Sequence, residues 1–269
     1  MRASSAAALE AAQEKLRELI PENWQQLDAV AEGFMSLGEL ARSQPRISRA
    51  LTDPARTSQD KVKLADELLG DDFPQATKAG VRALAQARWS AAEDFEAALF
   101  DLGILTQLYA VAAANAVDQV SDELLEVRHL LESTRELRLA LSDRNAPVHQ
   151  RIDIAKTVLQ GQVHAGTIAL ISDIMREGRS LLSALAQTAN RAAALNGRTL
   201  VTAEAAQDLS EAQRQRLCHI LEQRYNSEID LNIQVRPELL GGIRIKTAKH
   251  ITDGTIRTAL ARAKSSLAV

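Results

Sequence analysis

Apolar residues recur at helical spacing through the first two thirds of the chain and change to strict alternation only near its end. From Ser5 to about Ile20, Leu9, Leu16 and Leu19 stand among Glu10, Glu14, Lys15, Arg17 and Glu18 in an alanine-rich stretch, which predicts a short amphipathic helix. Pro21 interrupts it at a place suited to the first turn of a new helix. Trp24, Leu27, Val30, Phe34, Leu37 and Leu40 then continue at helical spacing, with Pro45 as the stop. Thr57 or Ser58 is expected to cap a helix carrying Val62, Ala65, Leu68 and Leu69, closed by Gly70. Helices over Pro74–Arg88 and from Ala91 to about Val117 follow, and no strand pattern precedes Thr199.

The last part reads differently. Thr199–Ala203 is a predicted strand, and Ser210 caps a predicted helix, Glu211–Tyr225, with Leu217, Ile220, Leu221 and Tyr225 on one side. Leu231, Ile233 and Val235 alternate with Asn232, Gln234 and Arg236, the period of a half-buried strand, and Pro237 ends it. The pair Gly241-Gly242 opens another strand, in which Ile243 and Ile245 alternate with Arg244 and Lys246; glycines there predict a bulge or close backbone approach. Thr252-Asp253-Gly254 is expected to cap a closing helix with Ile256, Leu260, Ala263 and Leu267 on one stripe. Burying the aliphatic residues of two strands stabilises by about 1.5–3 kcal/mol each before entropy is counted, so a third strand is needed, and Thr199–Ala203 supplies it.

The helical region also repeats itself. Leu51-Thr52-Asp53 and Leu141-Ser142-Asp143 stand 90 residues apart, and the same ungapped offset pairs Lys61-Val62 with Arg151-Ile152, Leu69 with Leu159, Thr77 with Thr167 and Ser90 with Ser180. Matches at Asp53, Thr77 and Ser90 are not favoured by an Ala/Leu-rich composition. Two copies of one helical unit are therefore expected.

Composition narrows the function classes. With 269 residues, 46% of them hydrophobic and 25% charged, the chain has room for two or three globular domains. Aromatics are 3% and the formal charge is -3, which leaves neither stacking platforms nor the basic excess of a polyanion binder. One cysteine, Cys218, excludes an intramolecular disulfide. The N-terminal stretch meets Glu10 too early for a secretory signal, so a cytoplasmic chain is expected. There is no Gly-x-x-x-x-Gly-Lys-[Ser/Thr] loop, no Gly-x-Gly-x-x-Gly between strand and helix, and no histidine pair at metal-ligand spacing among His129, His149, His164, His219 and His250. No catalytic residue, cofactor or metal is expected. Arg244, Lys246 and Lys249, with Arg257, Arg262 and Lys264, make the C-terminal part locally basic. That is either a solvated face or an acceptor for an acidic or amphipathic partner helix.

The order strand, helix, strand, Arg236-Pro237-Glu238-Leu239-Leu240-Gly241-Gly242-Ile243-Arg244-Ile245, then Ile251-Thr252-Asp253-Gly254-Thr255-Ile256-Arg257 and a helix, resembles the C-terminal portion of the delta subunit of bacterial F-type ATP synthase. Its mitochondrial counterpart is the oligomycin sensitivity-conferring protein. Arg176-Glu177-Gly178-Arg179 also fits, extending the resemblance over about Phe95–Leu267. Two departures are visible: Arg236 stands where the family usually has an acid, and Ala248-Lys249 where it has Gly-Asp. By the resemblance Gly241, Gly242, Ile243, Asp253 and Gly254 are structural motif residues; Arg244, Lys246 and Arg257, on the locally basic surface, are the candidate partner-interface residues.

The resemblance implies a mainly α fold: an additional N-terminal helical unit (1–90), a second bundle of the usual kind (91–197), and a C-terminal α/β domain (198–269) ordered strand-helix-strand-strand-helix. Longer delta subunits of some high-GC Gram-positive bacteria carry such a duplication. It further implies a non-catalytic peripheral-stalk subunit, one copy per complex, at the cytoplasmic face of the cell membrane and held there only by other subunits. Its partners would be the N-terminal helices of the alpha subunits and the end of the membrane-anchored b subunit, with no nucleic acid. The alpha-binding groove would lie at about Phe95–Gln107 and Ile168–Met175. The competing class is a cytosolic helical scaffold or adaptor with a C-terminal interaction domain.

Overall fold

The computed structural model describes residues 2–20, 24–225, 227–239, 241–247, 251–255 and 258. Eleven helices come first: α1 (Ala3–Leu19), α2 (Trp24–Ser43), α3 (Pro45–Thr52), α4 (Ser58–Leu69), α5 (Gln75–Gln86), α6 (Ala92–Ala113), α7 (Val117–Ser133), α8 (Arg135–Ser142), α9 (Val148–Leu159), α10 (Ala165–Glu177) and α11 (Leu181–Leu195). The C-terminal part follows as β1 (Arg198–Ala205), α12 (Glu211–Tyr225), β2 (Glu228–Val235), β3 (Gly242–Lys246) and β4 (Ile251–Thr255). The chain is mainly α, in two compact units, 1–186 and 187–269.

Most predicted helix ends hold for the expected physical reasons. Thr57 caps α4 by accepting from the Asp60 N–H at 3.2 Å, and Gly70 ends it at φ 55°. Pro45 does more than stop α2. It is the first residue of α3, where a fixed φ and a missing N–H cost nothing. The long helix expected from Ala91 to Val117 breaks instead: Asn115 turns left-handed at φ 55° and α7 starts at Val117. The run Ala112-Ala113-Ala114 carries no period that would announce the break. Pro21 lies outside the described residues.

The repeat is visible in the backbone. α3 and α8, and α4 and α9, match at both ends at the offset of 90 residues, and α5 and α10 match at their starts. Equivalent turns are built alike: the Ala55 N–H donates to Asp53 Oδ1 and the Asn145 N–H to Asp143 Oδ1, each at 2.9 Å. Ser43 and Ser133 each donate to the carbonyl three residues back, at 3.0 Å. Where Gly33 backs against Thr77 in the first copy, its counterpart Glu123 accepts a short hydrogen bond from the counterpart hydroxyl of Thr167.

By this offset α6 is at once the sixth helix of the first copy and the first helix of the second. Its burial fits both roles. Phe95, Ala98, Leu99, Phe100, Leu102, Ile104, Leu105 and Leu108 are all buried, leaving no polar face. α6 is long and apolar enough to pass for a membrane span, yet 72% of that window is buried by neighbouring helices. It is a core helix, apolar all round because helices surround it. Phe34, Leu37, Leu51, Leu84, Phe95 and Leu102 belong to one buried cluster that joins α6 to α2, α3 and α5.

In the C-terminal unit the sheet has four strands, not three, in the order β2-β1-β3-β4, with β1–β2 parallel and both other pairs antiparallel. α12 closes one face, its Leu217, Leu221 and Tyr225 packing with Val201, Ile229, Leu231 and Ile245. Ser210 caps it through a reciprocal pair: Ser210 N–H to Gln213 Oε1 at 2.9 Å, and Gln213 N–H to Ser210 Oγ at 3.4 Å.

Candidate partner-binding faces

The groove expected at Phe95–Gln107 and Ile168–Met175 is partly filled by the chain itself. α2 lies along α6 through close approaches at its glycine Gly38, against the Phe100 ring, and at Gly103, against Met35. At its C-terminal end α2 is locked to α10. Arg42 donates to the carbonyls of Arg176 and Glu177, each at 2.7 Å, and its guanidinium carbon sits 4.4 Å from the centre of the Phe100 ring. In the reverse sense, Arg176 of α10 holds both Glu32 (2.6 and 2.9 Å) and Glu39 (2.8 and 3.1 Å) of α2 in two bidentate pairs. Toward the N-terminal end of α10 the seam opens into a cleft of about 510 Å³, lined by Ala31, Gln107, Ile168, Ala169 and Ser172 together with charged groups.

One of those groups is unusual. Asp173 is 8% exposed and lies 3.7 Å from Arg176, too far for a good hydrogen bond. Desolvation pushes its carboxyl from an ordinary 3.8 up to about 7, against the pull of Arg176 and with help from the negative charge of Glu32, Asp28 and Glu39. Glu32 goes the other way: burial alone would raise it, but its hydrogen bonds from Arg176 and Ser36 hold it below the ordinary value. The sequence carried a faint sign of the clasp, since Glu32 and Glu39 recur seven apart on α2, on one side of the helix. Nothing in it indicated that Asp173 would be buried.

In the C-terminal unit, the described cations of the expected basic face pair with a buried acid while keeping part of their surface exposed. Glu204, in β1, is 6% exposed at its side chain and takes Lys246 at 2.6 Å, Arg244 at 3.3 Å and Arg236 at 3.9 Å. Lys246 and Arg244 are therefore structural counter-ions of a buried carboxylate, although each remains partly exposed. Arg236, the departure noted in the sequence, is the third cation of that ring. Glu204 escaped sequence reading because the predicted strand ended one residue before it. Its partners outweigh the burial that would raise it, and hold it below the ordinary value.

The remaining site residues divide. Gly241 and Gly242 both have positive φ, 135° and 81°, conformations that admit glycine and strain other residues, and Gly242 is the first residue of β3. Ile243 pairs with Ala205 of β1 and Gly254 of β4. Asp253 is not a helix cap. It sits in β4 opposite Arg244, which donates to it at 3.1 Å, and its Oδ1 accepts from the Thr255 N–H at 2.9 Å and hydroxyl at 2.6 Å. Thr255 Oγ1 in turn accepts from the Thr258 N–H at 3.4 Å. The alternation Ile251, Asp253, Thr255 was long enough for a strand, but the Asp-Gly step reads equally well as a helix start. Arg257 and the stripe Ile256, Leu260, Ala263 and Leu267 lie outside the described residues.

Comparison with known proteins decides the family. The model of the ATP synthase delta (OSCP) subunit matches residues 106–267. An ATP synthase subunit delta from Beutenbergia cavernae is 35% identical over 271 residues, covering all of both chains. This chain belongs to the ATP synthase delta (OSCP) family. Further delta relatives include one from Acidothermus cellulolyticus, 32% identical over 99% of this chain and 98% of its own, and one from Streptomyces avermitilis, 30% identical over 98% of each. A chain of the Toxoplasma gondii mitochondrial ATP synthase hexamer aligns at TM-score 0.43 and 18% identity, over 62% of this chain and 95% of that one. Residues before 106, beyond the family model, are thus shared with full-length delta relatives. A delta-family chain is a non-catalytic stator subunit of the peripheral stalk, and its complex is membrane-associated.

Proposed function

We propose that this delta subunit joins the N-terminal helices of the alpha subunits to the end of the membrane-anchored b subunit, as one copy per complex on the cytoplasmic face. It would resist the torque that the rotor exerts on the catalytic head. The observation that carries this is α6. A 22-residue helix whose apolar window is 72% buried and which is common to both helical copies cannot yield to load without disturbing the two cores together. The domain limits 1–90, 91–197 and 198–269 then describe an added copy, the usual bundle and the stalk-binding part, with α6 belonging to both helical copies.

Because α2 covers part of the α6–α10 seam, the open cleft at Gln107, Ile168 and Ser172 is the proposed seat for an alpha helix. Ile168→Arg should weaken binding of stripped catalytic heads by at least about tenfold without lowering the melting temperature. Undiminished binding would remove this seat. For the b subunit, Val235 is 47% exposed on the edge strand β2. A photo-crosslinker on Val235→Cys in a Cys218→Ser background should capture b in the assembled complex, and capture of alpha alone would refute the assignment.

A further inference from the structure

The two helical copies differ at one end, where the first packs a tryptophan and the second leaves a basic cleft. In the first copy the loop after α5 carries Trp89, whose ring packs edge-on against Phe95 at 5.5 Å between centroids and whose Nε1–H donates to the Leu84 carbonyl at 2.8 Å. That ring belongs to the apolar cluster beside Ile47 and Leu51. At the offset of 90 residues Trp89 becomes Arg179. No ring fills the place, and a cleft of about 680 Å³ remains between α8, α9 and the C-terminal end of α10.

Its lining is strongly basic. Arg42, Arg138, Arg144, Arg151 and Arg179 face it, against a single acid, Glu177, which Arg179 already holds at 2.5 Å. Arg42 has its carboxylate in Glu96. Arg138, Arg144 and Arg151 donate to main-chain carbonyls, of Leu131 and Glu132, Gly178, and Leu141, and pair with no carboxylate among the described residues. The Arg151 Nε is buried without a hydrogen-bond partner. The counterpart lysine in the first copy, Lys61, is buried and spends its ammonium on the Ala87 carbonyl at 3.0 Å. At the mouth, Leu139 is 57% exposed, where the first copy has Arg49.

We propose that this cleft binds an acidic amphipathic segment of a protein partner, with carboxylates paired to Arg138, Arg144 and Arg151 and an apolar side chain set on Leu139. Charge complementarity selects the acid. The Leu139, Leu181 and Leu182 side of the lining selects a segment with an apolar face, and the lack of any aromatic in the lining gives a nucleotide base nothing to stack on. The site is separate from the α2–α6–α10 cleft; only the choice of a protein as ligand rests on the stator reading.

The full-length chain is titrated against a fluorescein-labelled helix of glutamate and leucine and followed by anisotropy. Binding that weakens with salt, and none to the lysine-for-glutamate version, is the expected result. Arg179→Trp, which fills the cleft as the first copy does, and Leu139→Glu, at an exposed position, should each weaken binding about tenfold or more with unchanged circular dichroism and melting. Should Arg179→Trp fail to fold, Leu139→Glu alone decides. No binding, equal binding of the lysine peptide, indifference to Leu139→Glu, or binding of pyrophosphate but not of peptide would overturn the proposal. Co-purification with catalytic heads is measured alongside: a chain that joins the complex yet ignores the peptide refutes the cleft and leaves the stator reading intact.

Discussion

Asp173→Asn should make the helical unit more stable at pH 8 and leave it unchanged near pH 4. The folded carboxyl titrates at about 7 against an ordinary 3.8. Between those values the native chain holds a proton that the unfolded chain has released, so stability falls as pH rises through that interval and the loss is complete above about 7. At 1.36 kcal/mol per pH unit, the interval corresponds to a ceiling of about 4 kcal/mol. Asparagine has no charge to desolvate and nearly the same shape. It also gives up the weak attraction to Arg176, 3.7 Å away, but Arg176 keeps Glu32 and Glu39. Other charged groups around the cleft are Asp28 on α2 and His149, Asp153 and Lys156 on α9.

The assay is urea unfolding of wild type and variant at several pH values from 4 to 8. A gain of about 1–4 kcal/mol at pH 8 that shrinks steadily toward zero at pH 4 is the expected pattern. A variant less stable than wild type at pH 8 would show that Asp173 is charged and well paired in the native chain, and a gain that does not change with pH would show that ionisation of Asp173 is not its source; either result would refute the account of the seam.

Four further substitutions probe packing, a helix cap and a buried charge. A Cβ at Gly80 would stand 2.6 Å from the tip of the buried Phe34 ring, so Gly80→Ala should lower stability by about 1–3 kcal/mol in chemical denaturation. Gly103→Ala meets mainly the flexible end of Met35, at 2.8 Å, and gains helix propensity of about 1 kcal/mol, so its net effect on the same measurement should be under about 1 kcal/mol. Ser210→Ala breaks the reciprocal cap of α12 and should cost about 1 kcal/mol, read from the thermal unfolding of the C-terminal unit. Glu204→Gln leaves Arg236, Arg244 and Lys246 facing one another without a countercharge and should destabilise that unit by about 1–3 kcal/mol, with no loss of helix in the bundles by circular dichroism.

Sequence pattern located the elements whose ends contrast with their interiors. α12 and β3 came out within a residue of their bounds because Ser210 and Gln213 mark the start of the helix, and a glycine pair precedes the alternation of Ile243 and Ile245 with Arg244 and Lys246. It did worse where that contrast is missing. Residues 45–52 have a strong apolar stripe but begin at a proline, and a proline between periodic segments announces an end as readily as a start. β4 was lost to a helix reading because its central Asp-Gly carries no apolar residue at all. Of the sites, the repeat was legible and the clefts were not. Both clefts depend on which side chain occupies one position in space, Ile168 beside α2 or Arg179 in place of a tryptophan, and spacing along the chain does not encode that.

The duplication explains why such differences accumulate. Two copies that share α6 must satisfy opposite demands at that helix, since it serves the first copy by the surface against α2 and α3 and the second by the surface against α7 and α10. Substitutions on α6 therefore act on both cores, and freedom to diverge is left to the helix ends and the connecting turns. Three differences bear on the second copy's cleft: Trp89 against Arg179 after the fifth helix, Pro54 against Arg144 in the turn before the fourth, and Ser48 against Arg138 in the short third. Each exchange adds an arginine to the second copy, and all three arginines meet at one cleft. Helix ends offer unsatisfied carbonyls that arginine can hold, and after one or two such bonds a guanidinium still has donors left for an acid brought from outside.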